Sequence, residues 1–100
     1  MLMKANFSIV LNQIDSVKIE LWDADILIDD FLTQRLVNKS GDHSILFESN
    51  TSGEVAPELE LRIIDNDGKT LKVCTPLNQI SAWGTFRADS SCVEFGQILI

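Results

Sequence analysis

Basic side chains are scarce in this sequence. Eight Lys and Arg stand against 15 Asp and Glu, for a net charge of −7 over 100 residues. Nucleic-acid binding rests on neutralising phosphates with clustered Lys and Arg; these eight are scattered, which excludes that class. The same charge repels an anionic membrane unless a bound cation reverses the local field. Cysteine is nearly missing. Cys74 and Cys92 are too few and too far apart for a zinc site, which wants paired ligands at short spacing. In the runs "KVCT" and "SCVEF" they read as two half-buried thiols. The alternative is a disulfide between neighbouring strands, which needs an oxidising compartment. No apolar run approaches the ~20 residues of a membrane-spanning helix. The opening "MLMKANFSIVLNQID" is interrupted by Asn6, Ser8, Asn12 and Gln13, so it reads as a first strand rather than a secretory leader. The expectation is a cytoplasmic protein, or a mature or excised domain.

Catalytic equipment is equally thin. His43 is the single histidine, and no nucleophile or carboxylate stands at a spacing that would pair with it. It reads as a partly exposed residue at the start of a strand. Ser8, Ser16, Ser44 and Ser81 occupy no Gly-x-Ser-x-Gly setting, and no glycine loop could cradle a phosphate. The expectation is a non-enzymatic protein, with a small hydrolase the least supported class.

What the sequence does contain is alternation. Hydrophobic residues make up 45% and charged residues 23%, an ordinary globular balance. One hundred residues make one domain, residues 1–100, since half of this chain could not bury a second core. Phe7, Ile9 and Leu11 share one face of "NFSIVLN"; Val17, Ile19 and Leu21 share one of "SVKIELW". Ile45 and Phe47 do so in "HSILFES", and Leu59, Leu61 and Ile63 in "ELELRII". "KTLKVCT" offers Leu71 and Val73, "CVEFGQILI" closes the chain, and "WGTFRA" is a shorter candidate. "SGDH" and "NTSGE" are loops, and the Asp-Gly pair of "DNDGK" suits a tight hairpin with a primed turn. Pro57 and Pro76 lie just outside strands, where a missing N–H does no damage. Short strands every 8–14 residues predict an all-β, antiparallel β-sandwich of seven or eight strands.

The stretch "LWDADILIDDFL" puts Asp23, Asp25, Asp29 and Asp30 among apolar neighbours. One reading is a loop through residues 23–31 followed by the strand "LTQRLVN". Another is a helix with Asp25 as N-cap, Ile28, Leu32 and Leu36 on one stripe, and Gly41 just past its end. Calcium takes 6–8 oxygen ligands. The four aspartates could supply several, with Asp65 or Asp67 added if the hairpin tip lies alongside. The spacing is not that of a helix-loop-helix calcium loop. Solvated acids guarding a strand end against edge pairing are the plainer reading. Trp22 and Trp83 read as packing residues; an outward Trp22 would be a candidate interface anchor.

Residues 17–47, with "LWD", then "DDFL" and Gly41, followed by "APELELRIIDNDGKTL", resemble the transthyretin-like (prealbumin-like) sandwich domains. "VEFGQILI" is similar to the closing strand of related carboxypeptidase-associated modules. The pattern departs at Val37–Asn38, where Thr-Asp is commoner, at His43 for an aromatic, and at Glu58 for Asp. One branch of that superfamily hydrolyses 5-hydroxyisourate through His and Arg residues and a Tyr-Arg-Gly-Ser ending. This chain has no Tyr, so the resemblance does not extend to that activity. "FSIVLNQIDSVKIELWDADILIDDFL" also resembles the calcium-dependent lipid-binding domains of protein kinase C and the synaptotagmins. That resemblance implies Asp23, Asp25 and Asp30 as calcium ligands, with Thr33 replacing the customary Gly and no earlier Asp-bearing loop.

The sequence thus predicts a transthyretin-like or immunoglobulin-like sandwich acting as a binding module. Its partner is another protein, or a second copy met through an edge strand, for which the apolar "FGQILI" is the candidate. No cofactor is expected. Calcium at the acidic stretch, with a membrane or protein met only in its presence, is the rival.

Overall fold

A computed structural model describes residues 2–24, 29–48, 59–77 and 92–100. They form seven strands: β1 (Leu2–Val10), β2 (Val17–Ala24), β3 (Asp29–Val37), β4 (Gly41–Glu48), β5 (Leu59–Ile64), β6 (Thr70–Cys74) and β7 (Cys92–Leu99). Two sheets pack face to face as an all-β sandwich. One has three strands in the order β4-β1-β7, the other four in the order β3-β2-β5-β6. All pairings in the four-stranded sheet are antiparallel. In the three-stranded sheet β1 pairs antiparallel with β4 and parallel with β7, a departure from the all-antiparallel expectation. Parallel neighbours need a crossover. Here the chain builds the other sheet before β7 returns.

The alternation sorts the side chains. Met3, Ala5, Phe7 and Ile9 of β1 meet Val17, Ile19 and Leu21 of β2 in one core with Leu59, Leu61, Ile63, Ile45, Phe47, Val93, Phe95 and Ile98. Burying each large side chain is worth about 1.5–3 kcal/mol, and the core runs the length of both sheets. Tight connections follow from backbone requirements. Gly41 opens β4 at φ +126°, and Gly68 at φ +83° ends the β5–β6 hairpin loop. That loop is Asn66-Asp67-Gly68, closed by Gly68 N–H to the Asp65 carbonyl (3.1 Å) and Asp65 N–H to the Lys69 carbonyl (2.9 Å). Only Gly68 has positive φ there, so this is a three-residue loop rather than the expected primed two-residue turn.

Three expectations are corrected. The helix across residues 25–39 is excluded, because β3 pairs with β2 from Asp29 to Val37. Its supposed stripe does not share an environment: Leu36 is exposed while Leu32 packs on the core. The acidic loop expected at 23–31 is shorter, since β2 continues to Ala24 and β3 starts at Asp29. A bulge beside Trp22 absorbs the extra residue and keeps the ladder running. In β6, Leu71 and Val73 do not face the core; both are exposed, and Lys72 and Cys74 stand opposite the buried Ile63 and Leu61 instead. A register shift between Ile63 and Ile64 causes this, because one residue of slip moves a whole strand's pattern to the other face. The candidate strand "WGTFRA" and Trp83 lie outside the described residues.

Candidate functional site

The outer face of the four-stranded sheet carries three rows across the strands. Phe31, Trp22 and Glu60 form the first; Gln34, Glu20, Arg62 and Val73 the second; Leu36, Lys18, Ile64 and Thr70 the third. Bulky and charged side chains interlock there. The Phe31 ring meets Trp22 edge to face, with centroids 5.4 Å apart. The Arg62 guanidinium lies over the Trp22 ring, 4.4 Å from its centroid. Both aromatic contacts are favourable through the ring quadrupole. Trp22 Nε1–H donates to Glu20 Oε1 at 3.0 Å, and Lys18 Nζ stands 3.2 Å from Glu20 Oε2. Arg62 Nε and its terminal nitrogen both donate to Glu60 Oε2, at 3.1 and 2.9 Å. Five side chains on β2 and β5 are therefore held by one another. Beside them Phe31 is 49% exposed, Val73 50% and Leu36 66%.

The outer face of the three-stranded sheet is different in kind. Ser44 Oγ–H donates to Asn6 Oδ1 (2.7 Å), and Asn6 Nδ2–H to Glu94 Oε1 (2.9 Å), a polar ladder across β4, β1 and β7. Asn6, Ser8, Asp42, Ser44 and Glu94 line an open depression of about 340 Å³. Its exposed apolar residues, Leu46 and Leu99, lie toward opposite ends of the sheet with this polar belt between them.

The acidic stretch sits at the end of the β2–β3 hairpin. The register places Asp23 opposite Asp30 and Ala24 opposite Asp29. Asp25 lies outside the described residues. Asp65 and Asp67 do not lie alongside. β5 runs antiparallel to β2, with Leu59 opposite Asp23 and Ile64 opposite Lys18. The 65–69 turn is thus at the other end of the sheet, roughly 17 Å away at ~3.3 Å per residue. Asp65 is also engaged: its Oδ1 accepts the Asp67 and Lys69 backbone N–H groups, both at 2.9 Å. Among the described residues, no three His, Cys, Asp or Glu side chains gather as a metal site.

His43 is the third residue of β4, its ring stacked on Phe7 and its Nε2 2.8 Å from the Lys39 carbonyl oxygen. Cys74 and Cys92 are both thiols and lie on strands of different sheets. Burial pushes the Cys74 thiol above its usual pKa, and the nearby Lys72 charge pulls it part of the way back. Trp22 faces outward, the condition under which the sequence makes it a candidate anchor, and it also packs against Phe31 and Arg62. The grouping with Phe31, Glu60, Arg62 and Val73 is not legible in sequence, because only the strand register brings residues 22, 31, 60, 62 and 73 together.

The chain matches no protein-family model. It also matches no curated protein. Among solved structures it is similar to a 9R-lipoxygenase from Cyanothece PCC8801, with a TM-score of 0.60 and 21% sequence identity. The match covers 99% of this chain and 16% of that one. At that identity the likeness is one of fold, shared with a small part of a much longer protein.

Proposed function

We propose that this domain is a non-enzymatic binding module that engages a protein through the outer face of its four-stranded sheet. The observation that carries the reading is the interlocked Trp22–Arg62–Glu60–Glu20–Lys18 group, flanked by exposed Phe31, Val73 and Leu36. Trp and Arg dominate binding energy at interfaces, and side chains already fixed lose little further entropy on association. The non-enzymatic part is supported by His43, whose ring stacks on Phe7 and whose Nε2 is engaged by the Lys39 carbonyl. The test is photo-crosslinking in the native host, with a benzophenone amino acid at position 31 or at position 44. Adducts from position 31 and none from position 44 are expected. Equal yields from both, or adducts from 44 alone, would overturn the assignment of the face.

A second reading rests on the hairpin end, and fits the acidic-loop families that the sequence resembles. The register sets Asp23 opposite Asp30 and Ala24 opposite Asp29, so that three of the four aspartates share one end of the sheet. A divalent cation held there by Asp23, Asp25, Asp29 and Asp30 would make the domain a calcium-responsive module for a membrane or protein. Millimolar calcium must then raise Tm by mass action. No shift, or one that survives Asp23→Asn with Asp25→Asn, ends this reading.

A further inference from the structure

We infer that the partner on the outer face of the four-stranded sheet is a second copy of this chain, related by a two-fold axis parallel to the strands. The inference rests on the binding face proposed above and identifies its occupant. Charge is the first argument. Two copies at −7 repel one another in general. The outward charges of β2 and β5, however, are Lys18, Glu20, Glu60 and Arg62, two of each sign. The outward charges on the three-stranded sheet are Lys4 against Asp42, Glu48 and Glu94, which repel a copy of themselves.

Pattern is the second argument. Glu20 and Arg62 are cross-strand neighbours in one row. An axis in the interface plane, parallel to the strands and midway between β2 and β5, lays β2 of each copy over β5 of the other. Glu20 then faces Arg62 of the second copy, twice by symmetry, as an isologous interface requires. The same rotation brings β3 over β6, so that the exposed apolar residues of those strands flank the charged centre. A two-fold axis perpendicular to the strands and passing through this row would instead set Glu20 on Glu20 and Arg62 on Arg62.

The edges supply the third argument, because β3, β6 and β7 are each blunted against strand addition. Arg35 of β3 lies on the core side, opposite Ile19, and donates to the Ser44 carbonyl of β4 at 2.6 Å. Lys72 stands opposite the buried Ile63 on β6. Inward-pointing charges on edge strands discourage pairing with another chain. On β7, the Glu94 carbonyl accepts the Leu77 N–H at 2.7 Å, and Gly96 bends the strand at φ +78° with Leu77 packed against it. Association by the face replaces association by an edge. Four strands span about 19 Å, a small interface, so the dimer is weak and concentration-dependent.

Light scattering with sedimentation equilibrium, from about 10 µM to about 1 mM protein, is expected to show mass rising from one chain toward two. Glu20→Arg places like charges together twice and raises the dissociation constant at least about tenfold. Ser44→Arg, on the outer face of the other sheet, leaves association unchanged, while circular dichroism shows both variants folded. A monomer at every concentration, or a dimer indifferent to Glu20→Arg, would overturn the inference. Adducts from position 31 that contain only other proteins also overturn it, yet leave the binding face standing. Loss of position-31 adducts altogether removes both.

Discussion

The two sheets share one core and the same alternation, yet their outer faces are opposites. On the three-stranded sheet, the middle of the outer face is polar, and Ser44, Asn6 and Glu94 hydrogen-bond to each other between the separately exposed Leu46 and Leu99. That is a surface built to meet water. On the four-stranded sheet, outward positions hold Trp22, Phe31, Leu36 and Val73 around a charge-balanced centre. Exposed apolar side chains gathered together mark interaction sites. Here Phe31 lies against Trp22, while Leu36 and Val73 stand on the two edge strands either side of the charged centre. The contrast shows that two sheets closing one core can present a hydrogen-bonded polar belt on one side and exposed apolar side chains around a charged group on the other.

Four measurements bear on this contrast, the largest effect first. Leu61→Ala removes a fully buried side chain from the centre of the four-stranded sheet. It should cost about 2–5 kcal/mol in urea unfolding. A smaller loss would mean that the face closed by Leu61 is not the core. Gly96→Ala acts on the three-stranded sheet. A Cβ there would lie 2.6 Å from Leu77 Cδ1, on a backbone at positive φ. Destabilisation of about 1 kcal/mol is expected from the positive φ, with a similar loss at Gly68, because the exposed Leu77 side chain can swing aside.

The third measurement compares the outer faces directly, at protein concentrations low enough to keep the chain monomeric. Trp22→Ala forfeits the Phe31 and Arg62 contacts, about 1–2 kcal/mol together. Asn6→Ala should stay within about 0.5 kcal/mol, the usual range for surface changes. Equal costs would erase the distinction between the faces. The smallest effect is chemical. Because burial holds the Cys74 thiol above its ordinary pKa, less thiolate is present at any given pH. Alkylation near pH 8 should therefore be slower than for a free cysteine, and slower again after Lys72→Met removes the charge that lowers the pKa. A rate equal to that of a free thiol would contradict the buried placement.

Much of this architecture could be read from alternation. Ile19, Leu21, Leu61 and Ile63 were expected inside and are inside, because a period of two on a strand leaves a side chain only two faces to choose from. The readings failed where registers shift. Val73 was expected in the core and lies outside, as a consequence of one extra residue in the β5–β6 ladder. The acidic stretch was expected as a nine-residue loop, yet its described residues 23, 24 and 29–31 are strand, as a bulge beside Trp22 lets pairing continue to Ala24 and Asp29. Bulges depend on how two strands meet, and neither strand carries that information alone.

The outer face of the four-stranded sheet shows the same division. That Trp22 precedes an acidic stretch is a fact of sequence, and so is the alternation of Glu58, Glu60 and Arg62. That Arg62 lies across Trp22, that Phe31 stands at its edge, and that Asp65 lies far from Asp23 follow from strand order and register. The sequence by itself determined an all-β chain with a continuous core, since burial of alternating side chains is a local property summed along each strand. Only the tertiary structure decided which residues share the outer face. Cross-strand neighbours come from distant positions, and a slip of one residue exchanges the two sides of a strand.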